Sequence, residues 1–313
     1  MTAYLLRRLF ATLPVMAVVA VFVFMLLRLA PGDPAALIAG DDATLADIEA
    51  IRAKLGLDLP IWEQFILWLS DILQGDLGVS IFSNLPVTTL IAQRLEPTLM
   101  LMLATLFVAV TLAIPLGVLA AWKARTIIDR LVMVISVLGF AIPVFLAGYV
   151  LIYVFSIQLR WLPVQGYKPL AQGLWPCIQS LILPAVALGT TYMALIARIT
   201  RASMLDVLAQ DYIRTANAKG LATQRVLLLH ALKNASVPIV TVIGIGIALL
   251  ISGVVITETV FNIPGLGRLT VDAVLKRDYP IVQGLILVFA GTKVLINLAI
   301  DMSYAFLDPR IRY

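Results

Sequence analysis

The sequence has few residues of the kinds that build covalent cross-links, metal sites or charged surfaces. Its 313 residues include one cysteine and one histidine, and 13% are charged against 61% hydrophobic. A lone cysteine excludes an internal disulfide, and one cysteine with one histidine argues against a metal cluster. Soluble domains carry about a quarter charged residues, and a soluble fold cannot hide this much apolar surface. The sequence therefore predicts a membrane protein.

The net charge of +5 does not indicate a nucleic-acid-binding protein. The basic residues flank the apolar segments, where orientation signals belong in membrane proteins. We therefore expect this protein to contact a lipid bilayer and not to bind nucleic acid.

Six apolar stretches are long enough to cross a hydrocarbon core, which takes roughly 20 residues in helix. They run over about Leu9–Leu29, Pro97–Trp122, Leu131–Leu159, Ile178–Ala197, Val237–Thr257 and Ile281–Phe306. The first follows two arginines, as a signal peptide does, but its uncharged run is longer than the roughly 7–15 residues of a signal segment. We expect it to remain as a membrane anchor. The predicted fold is all-α, a polytopic protein with six transmembrane helices.

The sixth stretch carries polar residues that should not face lipid. Lys293 costs about 3 kcal/mol near the membrane centre, but the apolar residues around it favour insertion by about 4–7 kcal/mol. Lys293, Asn297 and Asp301 recur every four residues and so share one helix face. That face should meet protein or water. A structural contact between helices is the favoured interpretation, and a place on a substrate pathway is the alternative.

The loops between the predicted spans differ in charge. Lysine and arginine cluster at both termini, after the second span and after the fourth, so all four clusters fall on one side. The positive-inside rule assigns that side to the cytoplasm. The long first loop, about Ala30–Glu96, lies on the opposite side and is acidic. It contains two predicted short helices, Ala43–Leu55 and Ile61–Leu73, and we expect it to form a small folded cap.

The connection between the fourth and fifth spans, Arg198–Val237, is far longer than a connector needs. An apolar stripe with helical spacing runs through it at Leu205, Leu208 and Tyr212. Asp211 can pair with Arg214 at a spacing of three residues, and Gly220 is a natural helix end. The pattern alone leaves two interpretations open: a helix lying in the membrane interface, or a docking helix for a cytoplasmic partner.

Several motifs in this chain resemble those of a known family. The connection reads Asp211-Tyr212-Ile213-Arg214-Thr215-Ala216-Asn217-Ala218-Lys219-Gly220-Leu221, followed by His230-Ala231-Leu232-Lys233-Asn234-Ala235. It resembles the EAA loop of permeases from binding-protein-dependent ABC importers. Arg214 and Thr215 replace the first two residues of the general pattern, as in the dipeptide and oligopeptide branch, while Ala216 and Gly220 match it. Similar segments elsewhere are Arg28–Pro34, Leu55–Pro60, Gly75–Ser80, Glu258–Arg268, Arg277–Pro280 and Leu307–Tyr313.

The resemblance covers nearly the whole chain and is to the first, B-type permease of dipeptide, oligopeptide or glutathione importers. It implies the type I importer permease fold in the bacterial inner membrane, with both termini in the cytoplasm. It also implies a C-type second permease, two cytoplasmic ATPases that bind ATP and Mg, and a periplasmic binding protein that delivers a peptide. The residues it implies for ATPase coupling are Leu208, Asp211, Tyr212, Arg214, Thr215, Ala216, Lys219 and Gly220.

The implied domain organisation has three parts. Residues 1–96 hold the first helix and the long periplasmic loop, residues 97–306 form the permease core, and residues 307–313 form a cytoplasmic tail. The coupling helix is expected near residues 205–221, inside the core.

The sequence lacks the phosphate-binding motif G-x-x-x-x-G-K-[ST]. We therefore expect no ATP hydrolysis, catalytic residue, cofactor or metal in this chain. The isolated His230 is interpreted as a packing or helix-end residue. The alternative function is a stand-alone secondary transporter or channel for small solutes, which usually needs buried acids at mid-membrane and inverted repeats. Asp301 is the only acidic residue within the predicted spans, which argues against this alternative. A membrane-bound enzyme is a third class, but the sequence shows no set of catalytic residues for it.

Overall fold

The structure is a computed structural model that describes residues 2–29, 35–36, 44–54 and 56–307. Within these residues the regular structure is helical, apart from an isolated β-bridge between Val79 and Pro86. The helices are α1 (Thr2–Leu29), α2 (Leu45–Lys54), α3 (Ile61–Leu73), α4 (Val87–Trp122), α5 (Ile127–Ala141), α6 (Val144–Leu151), α7 (Leu174–Leu208), α8 (Asp211–Ala218), α9 (Leu232–Val260), α10 (Leu266–Lys276) and α11 (Tyr279–Leu307). The predicted tail beyond residue 307 and most of the motif at 28–34 lie outside the described residues.

The prediction of an all-α polytopic membrane protein is confirmed. Four helices in the described part of the chain are long and apolar enough to cross a membrane, at Val87–Trp122, Leu174–Leu208, Thr223–Ile251 and Tyr279–Met302. A bent pair formed by α5 and α6 can supply a fifth span, and α1 adds a shorter apolar stretch, Phe10–Leu26. Apolar runs of this length become helices because each backbone N–H and C=O must find its partner inside the segment.

The third predicted span, Leu131–Leu159, is not one straight helix. The α5 helix and the helical segment that follows it meet at an angle of 101°. Pro143 lacks an N–H and disfavours helix at the residue before it, and Ile142 is accordingly extended, with φ −79° and ψ 122°. Other prolines lie inside unbroken helices, at Pro14 of α1, Pro115 of α4 and Pro184 of α7. A proline in an apolar run therefore does not by itself show where a span bends.

The helices predicted in the long first loop are present. The structure has Ile61–Leu73 with the predicted bounds, and the first predicted helix spans Leu45–Lys54. Gly56 follows with φ +63°, a left-handed conformation that glycine adopts easily and that commonly ends helices.

The chain divides into two compact units. The larger unit comprises Glu96–Arg268 and Leu295–Tyr313, and the smaller comprises Thr2–Leu95 and Leu269–Val294. The three-part organisation predicted from the sequence stays a prediction.

In the smaller unit, α1 packs against α3 through aromatic side chains. The rings of Phe24 and Phe65 meet edge to face, with centroids 5.1 Å apart, and Trp68 lies 5.5 Å from Phe24. Arg28 donates through Nη2 to Gln64 Oε1 at 2.6 Å. These contacts hold the first apolar helix against the folded loop that follows it.

In the larger unit, α7 is the central helix. Of its most apolar stretch 72% is buried, against at most 33% for the other three continuous spans, and α5, α6 and α9 pack along it. Its sequence is rich in small residues, and such residues let membrane helices approach closely. At Gly189, an added Cβ would lie 3.2 Å from Val108 Cγ1 of α4.

The α4 and α7 helices lie close together at Gly117, and this contact supports a stability prediction. A Cβ there would lie 2.6 Å from Thr200 Cβ and 2.7 Å from the carbonyl oxygen of Ala197. Gly117→Ala should therefore force the two helices apart and lower the free energy of unfolding by about 1–3 kcal/mol. Thermal unfolding of the purified protein in detergent measures the change.

Gly291→Ala is the matched control for this substitution. Gly291 also lies within a span, but no described atom comes within 4 Å of its added Cβ. The control should leave the melting temperature unchanged or raise it slightly, because alanine is the better helix former. Equal melting temperatures for both variants would contradict the close approach of α4 and α7.

Candidate functional site

The connection between α7 and α9 folds as a short helix at one end of the larger unit. The α7 helix ends at Leu208, Gln210 is extended with φ −75° and ψ 149°, and α8 begins at Asp211. Leu208 therefore belongs to the end of a span, and the predicted stripe does not form one helix. An acidic residue in the first turn of a helix is favoured by the helix dipole, so Asp211 is the signal in the sequence for this new start.

Two residues of α8 attach it to the protein. Ile213 and Ala216, three residues apart on one face, are 2% and 8% exposed. They join an apolar cluster, the platform, which includes Val118 and Ala121 at the end of α4, Met204 of α7, and Val226, Leu227 and Ala231 after α8. Burying an isoleucine side chain contributes about 1.5–3 kcal/mol. The short helix is thus held by its apolar face on the ends of the spans.

The remaining residues predicted for ATPase coupling, in α8 and directly after it, face away from the platform. Asp211, Tyr212, Arg214, Thr215, Lys219 and Gly220 are exposed. Arg214 Nη1 lies 3.2 Å from Asp211 Oδ1, as the three-residue spacing predicted. Ala216 differs from this group, because it is buried and helps to hold the helix in place.

Gly220 ends this short helix, as predicted. Its φ is +77°, and no described atom lies within 4 Å of an added Cβ. Leu221 N donates to the carbonyl of Ala216 at 3.3 Å, and Gly220 N donates to that of Asn217 at 2.9 Å. These bonds pair carbonyls at the helix end that would otherwise lack a partner. Glycine is favoured here for its backbone conformation, since there is room for a side chain.

The basic stretch after Gly220 is continuous with the next span. A turn at Thr223–Arg225 leads into a π-helical segment, Val226–Ala231, and then into α9. His230 is half-buried within this segment, and its carbonyl accepts a hydrogen bond from Asn234 Nδ2 at 2.7 Å. The segment supplies Val226 and Leu227 to the platform, so α8 and α9 share one apolar cluster.

An ion pair that the sequence did not indicate lies at the same end of the larger unit. Arg201 of α7 donates to both carboxylate oxygens of Asp129, at 2.5 Å and 2.7 Å, and the backbone N–H of Arg125 donates to Oδ2 at 2.9 Å. The Asp129 side chain is 6% exposed and that of Arg201 is 27% exposed. The pair ties the start of α5 to the last turns of α7, directly before α8.

These contacts bring together two of the four basic clusters predicted to share a side. The turn after α4 contains Arg125, and the connection after α7 contains Arg201 and α8. Both lie at the platform end of the larger unit, because Ile213 packs with Val118 and Arg201 pairs with Asp129.

The polar residues of the last span differ in their exposure. Lys293 and Asn297 are exposed, whereas Asp301 is half-buried and has a polar contact. The described part of this chain therefore leaves Lys293 and Asn297 uncovered.

At the opposite end of the larger unit, hydrogen bonds join Glu96 of α4 to the loop before α7. The hydroxyl of Tyr167 and the backbone N–H of Leu170 both donate to Glu96 Oε1 at 2.8 Å. Burial, followed by the hydrogen bond to Glu96, raises the pKa of Tyr167 above its ordinary value. This end also holds Glu258, a fully buried carboxylate that the predicted fifth span stopped one residue short of including.

Comparison with known proteins identifies relatives along the whole chain. Residues 113–313 match the family of binding-protein-dependent transport system inner membrane components, and residues 1–104 match the N-terminal part of such components. A probable peptide ABC transporter permease of Sinorhizobium fredii, y4tP, is 55% identical over 313 residues, with all of both chains covered. The glutathione transport system permease GsiC of Escherichia coli is 45% identical over 314 residues, again with full coverage.

Among solved structures, the inward-facing MetNI methionine ABC transporter contains a chain with a similar fold. The TM-score is 0.58 at 16% sequence identity, and the match covers 70% of this chain and 96% of that one. This likeness confirms the predicted type I importer permease fold. The chain therefore belongs to the binding-protein-dependent transport system inner membrane component family, and it is a membrane-spanning permease subunit of an ABC importer.

Proposed function

We propose that this permease carries dipeptides, oligopeptides or glutathione-like peptides across the bacterial inner membrane. The full-length similarity to a peptide permease and to a glutathione permease supports this cargo class. The apolar spans provide the membrane-crossing part, and the binding protein delivers the peptide to the outer side.

ATP hydrolysis takes place in two separate cytoplasmic ATPases, which bind ATP and Mg. The observation that carries this coupling proposal is that α8 has one face buried in the protein and the other exposed. Ile213 and Ala216 fix it to the platform, while Asp211, Tyr212 and Arg214 face outward for a partner. A helix lying in the membrane interface would turn an apolar face toward lipid, but the apolar face of α8 is already buried in protein.

The proposed orientation places α8 and both termini in the cytoplasm. The clustering of basic residues around the platform supports this side. The binding protein then docks on the periplasmic side of the membrane, on the long first loop and the loop before the last span. The exposed face with Lys293 and Asn297 is covered by the C-type second permease or lines the water-filled path, because lipid contact is costly for a charged side chain.

Reconstitution tests the proposal. The two permeases and two ATPases in lipid vesicles should import labelled dipeptide or glutathione, and import should require both ATP and the binding protein. A substrate preference for free amino acids or sugars would contradict the proposed cargo. Transport by the purified chain alone, without nucleotide, would favour the stand-alone transporter instead.

A further inference from the structure

Glu258 is a fully buried acid near the end of α9, and the transport cycle outlined above does not use it. Its exposed fraction is 0%. The hydroxyl of Thr98, in α4, donates to Glu258 Oε1 at 2.6 Å. The backbone N–H of Arg268 donates to Oε2 at 3.0 Å. A buried carboxylate is tolerated when donors surround it in this way.

The same network caps α10. The N–H of Leu266, the first residue of α10, donates to the hydroxyl oxygen of Thr98 at 2.8 Å, and the N–H of Arg268 follows two residues later. The first-turn N–H groups of a helix lack partners within the helix. Thr98 and Glu258 supply acceptors for two of these N–H groups. The negative charge of Glu258 is also favourable at the positive end of the helix dipole.

Two glycines leave space for this carboxylate. An added Cβ at Gly265 would lie 2.0 Å from Glu258 Oε1. At Gly267 it would lie 2.6 Å from the Cα of Val255 and 3.0 Å from Glu258 Oε2. The backbone of this segment is thus built around the acid.

The turn between α9 and α10 shows what the network holds in place. Phe261 and Ile263 are buried, whereas Asn262 and Pro264 are exposed. Ile263 N donates to the backbone carbonyl of Glu258 at 2.8 Å. Asn262 has φ +53°, a conformation uncommon outside glycine, and its side chain accepts a hydrogen bond from the guanidinium of Arg268.

Arg268 therefore connects the buried Glu258 to the exposed Asn262 of the turn. Its backbone N–H is held by Glu258 and its side chain holds Asn262. We propose that Glu258 is a positioning residue, which fixes the turn and its exposed residues, Asn262 and Pro264, in the shape that the periplasmic binding protein contacts. The inference rests on the proposed function, because it assigns this turn to the outer docking surface.

Thr98 offers the cleanest test, because it has a matched pair of substitutions. Thr98→Val keeps the shape of the side chain but removes the hydroxyl, leaving Glu258 Oε1 and the N–H of Leu266 without this partner. Thr98→Ser retains the hydroxyl. The assay is the ATPase rate of the complete importer in lipid nanodiscs, measured against the concentration of its peptide-loaded binding protein.

The valine variant should need about tenfold more binding protein for half-maximal stimulation, as expected when buried polar groups lose a partner, and should reach the same maximum rate. The serine variant should follow the wild type. If the valine and serine variants need the same concentration of binding protein for half-maximal stimulation, the positioning role is wrong and the proposed function stands. The same holds if the valine variant has a lower maximum rate at an unchanged half-maximal concentration. Absence of stimulation in the wild type overturns the proposed function and the positioning role together.

Glu258→Gln serves as a second variant should the valine variant not assemble. Its amide oxygen can still accept from the N–H of Arg268, so the expected shift in half-saturation has the same direction but is smaller. A glutamine variant with wild-type half-saturation overturns the inference.

Discussion

Ile213→Asp is expected to abolish ATP-driven uptake while leaving the spans in the membrane. Ile213 is 2% exposed in the platform, and burying an unpaired carboxylate costs several kcal/mol. The variant should therefore release α8 from the platform, and each 1.4 kcal/mol reduces the docked population about tenfold. Uptake into vesicles and the amount of co-purified ATPase measure the loss, and we expect uptake to fall at least about a hundredfold.

Ile213→Val is the matched control. It removes one methylene from the same contact, for which about 0.5–1.5 kcal/mol is typical, so uptake should stay within about tenfold of the wild type. Full uptake in the aspartate variant would show that the position of α8 on the platform does not matter for transport.

Asp129→Ala is expected to give the second large effect, on stability. The substitution leaves the Arg201 guanidinium partly buried without its bidentate partner and leaves the N–H of Arg125 unpaired. Breaking a fully buried pair costs about 3–5 kcal/mol. The 27% exposure of Arg201 places the expected loss lower, at about 2–3 kcal/mol. Thermal unfolding of the purified complex measures it.

A double variant distinguishes the ion pair from simple loss of side-chain packing. Asp129→Ala combined with Arg201→Ala removes both charges, so it should recover part of the lost stability. Asp211→Ala breaks the exposed pair with Arg214 and should leave the melting temperature unchanged, because exposed pairs contribute little. A double variant less stable than Asp129→Ala would contradict the role given to the pair.

The all-α class and the main segments were predictable because the bilayer imposes a strong rule. A long uncharged run such as that in α4 has no stable alternative to a helix in hydrocarbon. The bend before Pro143 could not be predicted from the proline itself, since Pro115 and Pro184 lie inside continuous helices. Whether a proline breaks a span depends on the neighbouring helices, which the local sequence does not describe.

The end of the candidate coupling helix was predicted from the sequence, whereas its start was not, although Asp211 is a weak signal for it. Gly220 predicts the helix end, because glycine adopts the positive φ of that position easily. The break at Gln210 lies inside an apolar stripe whose spacing would suit one continuous helix from Leu205 to Tyr212. The burial of Ile213 depends on Val118, about a hundred residues earlier in the chain, so periodicity could not decide which face of the helix meets the platform.

The burial of Asp129 and Glu258 was missed for a related reason. Asp129 and Glu258 each lie beside an apolar run and look like loop residues at a span boundary. Their partners, Arg201 and Thr98, are 72 and 160 residues away. A hydrogen bond across such a separation leaves no periodic signal, although the glycines at 265 and 267 hint at a crowded backbone near Glu258.

The central claim is that the exposed side of α8 contacts an ATPase, and cysteine cross-linking tests it most directly. Cys177 is buried, so Thr215→Cys introduces an accessible thiol on the exposed side. In the assembled, transport-active importer, this thiol should cross-link to an ATPase subunit, with a yield that changes when ATP is bound. Absence of any ATPase cross-link, in an importer that still transports, would contradict the account.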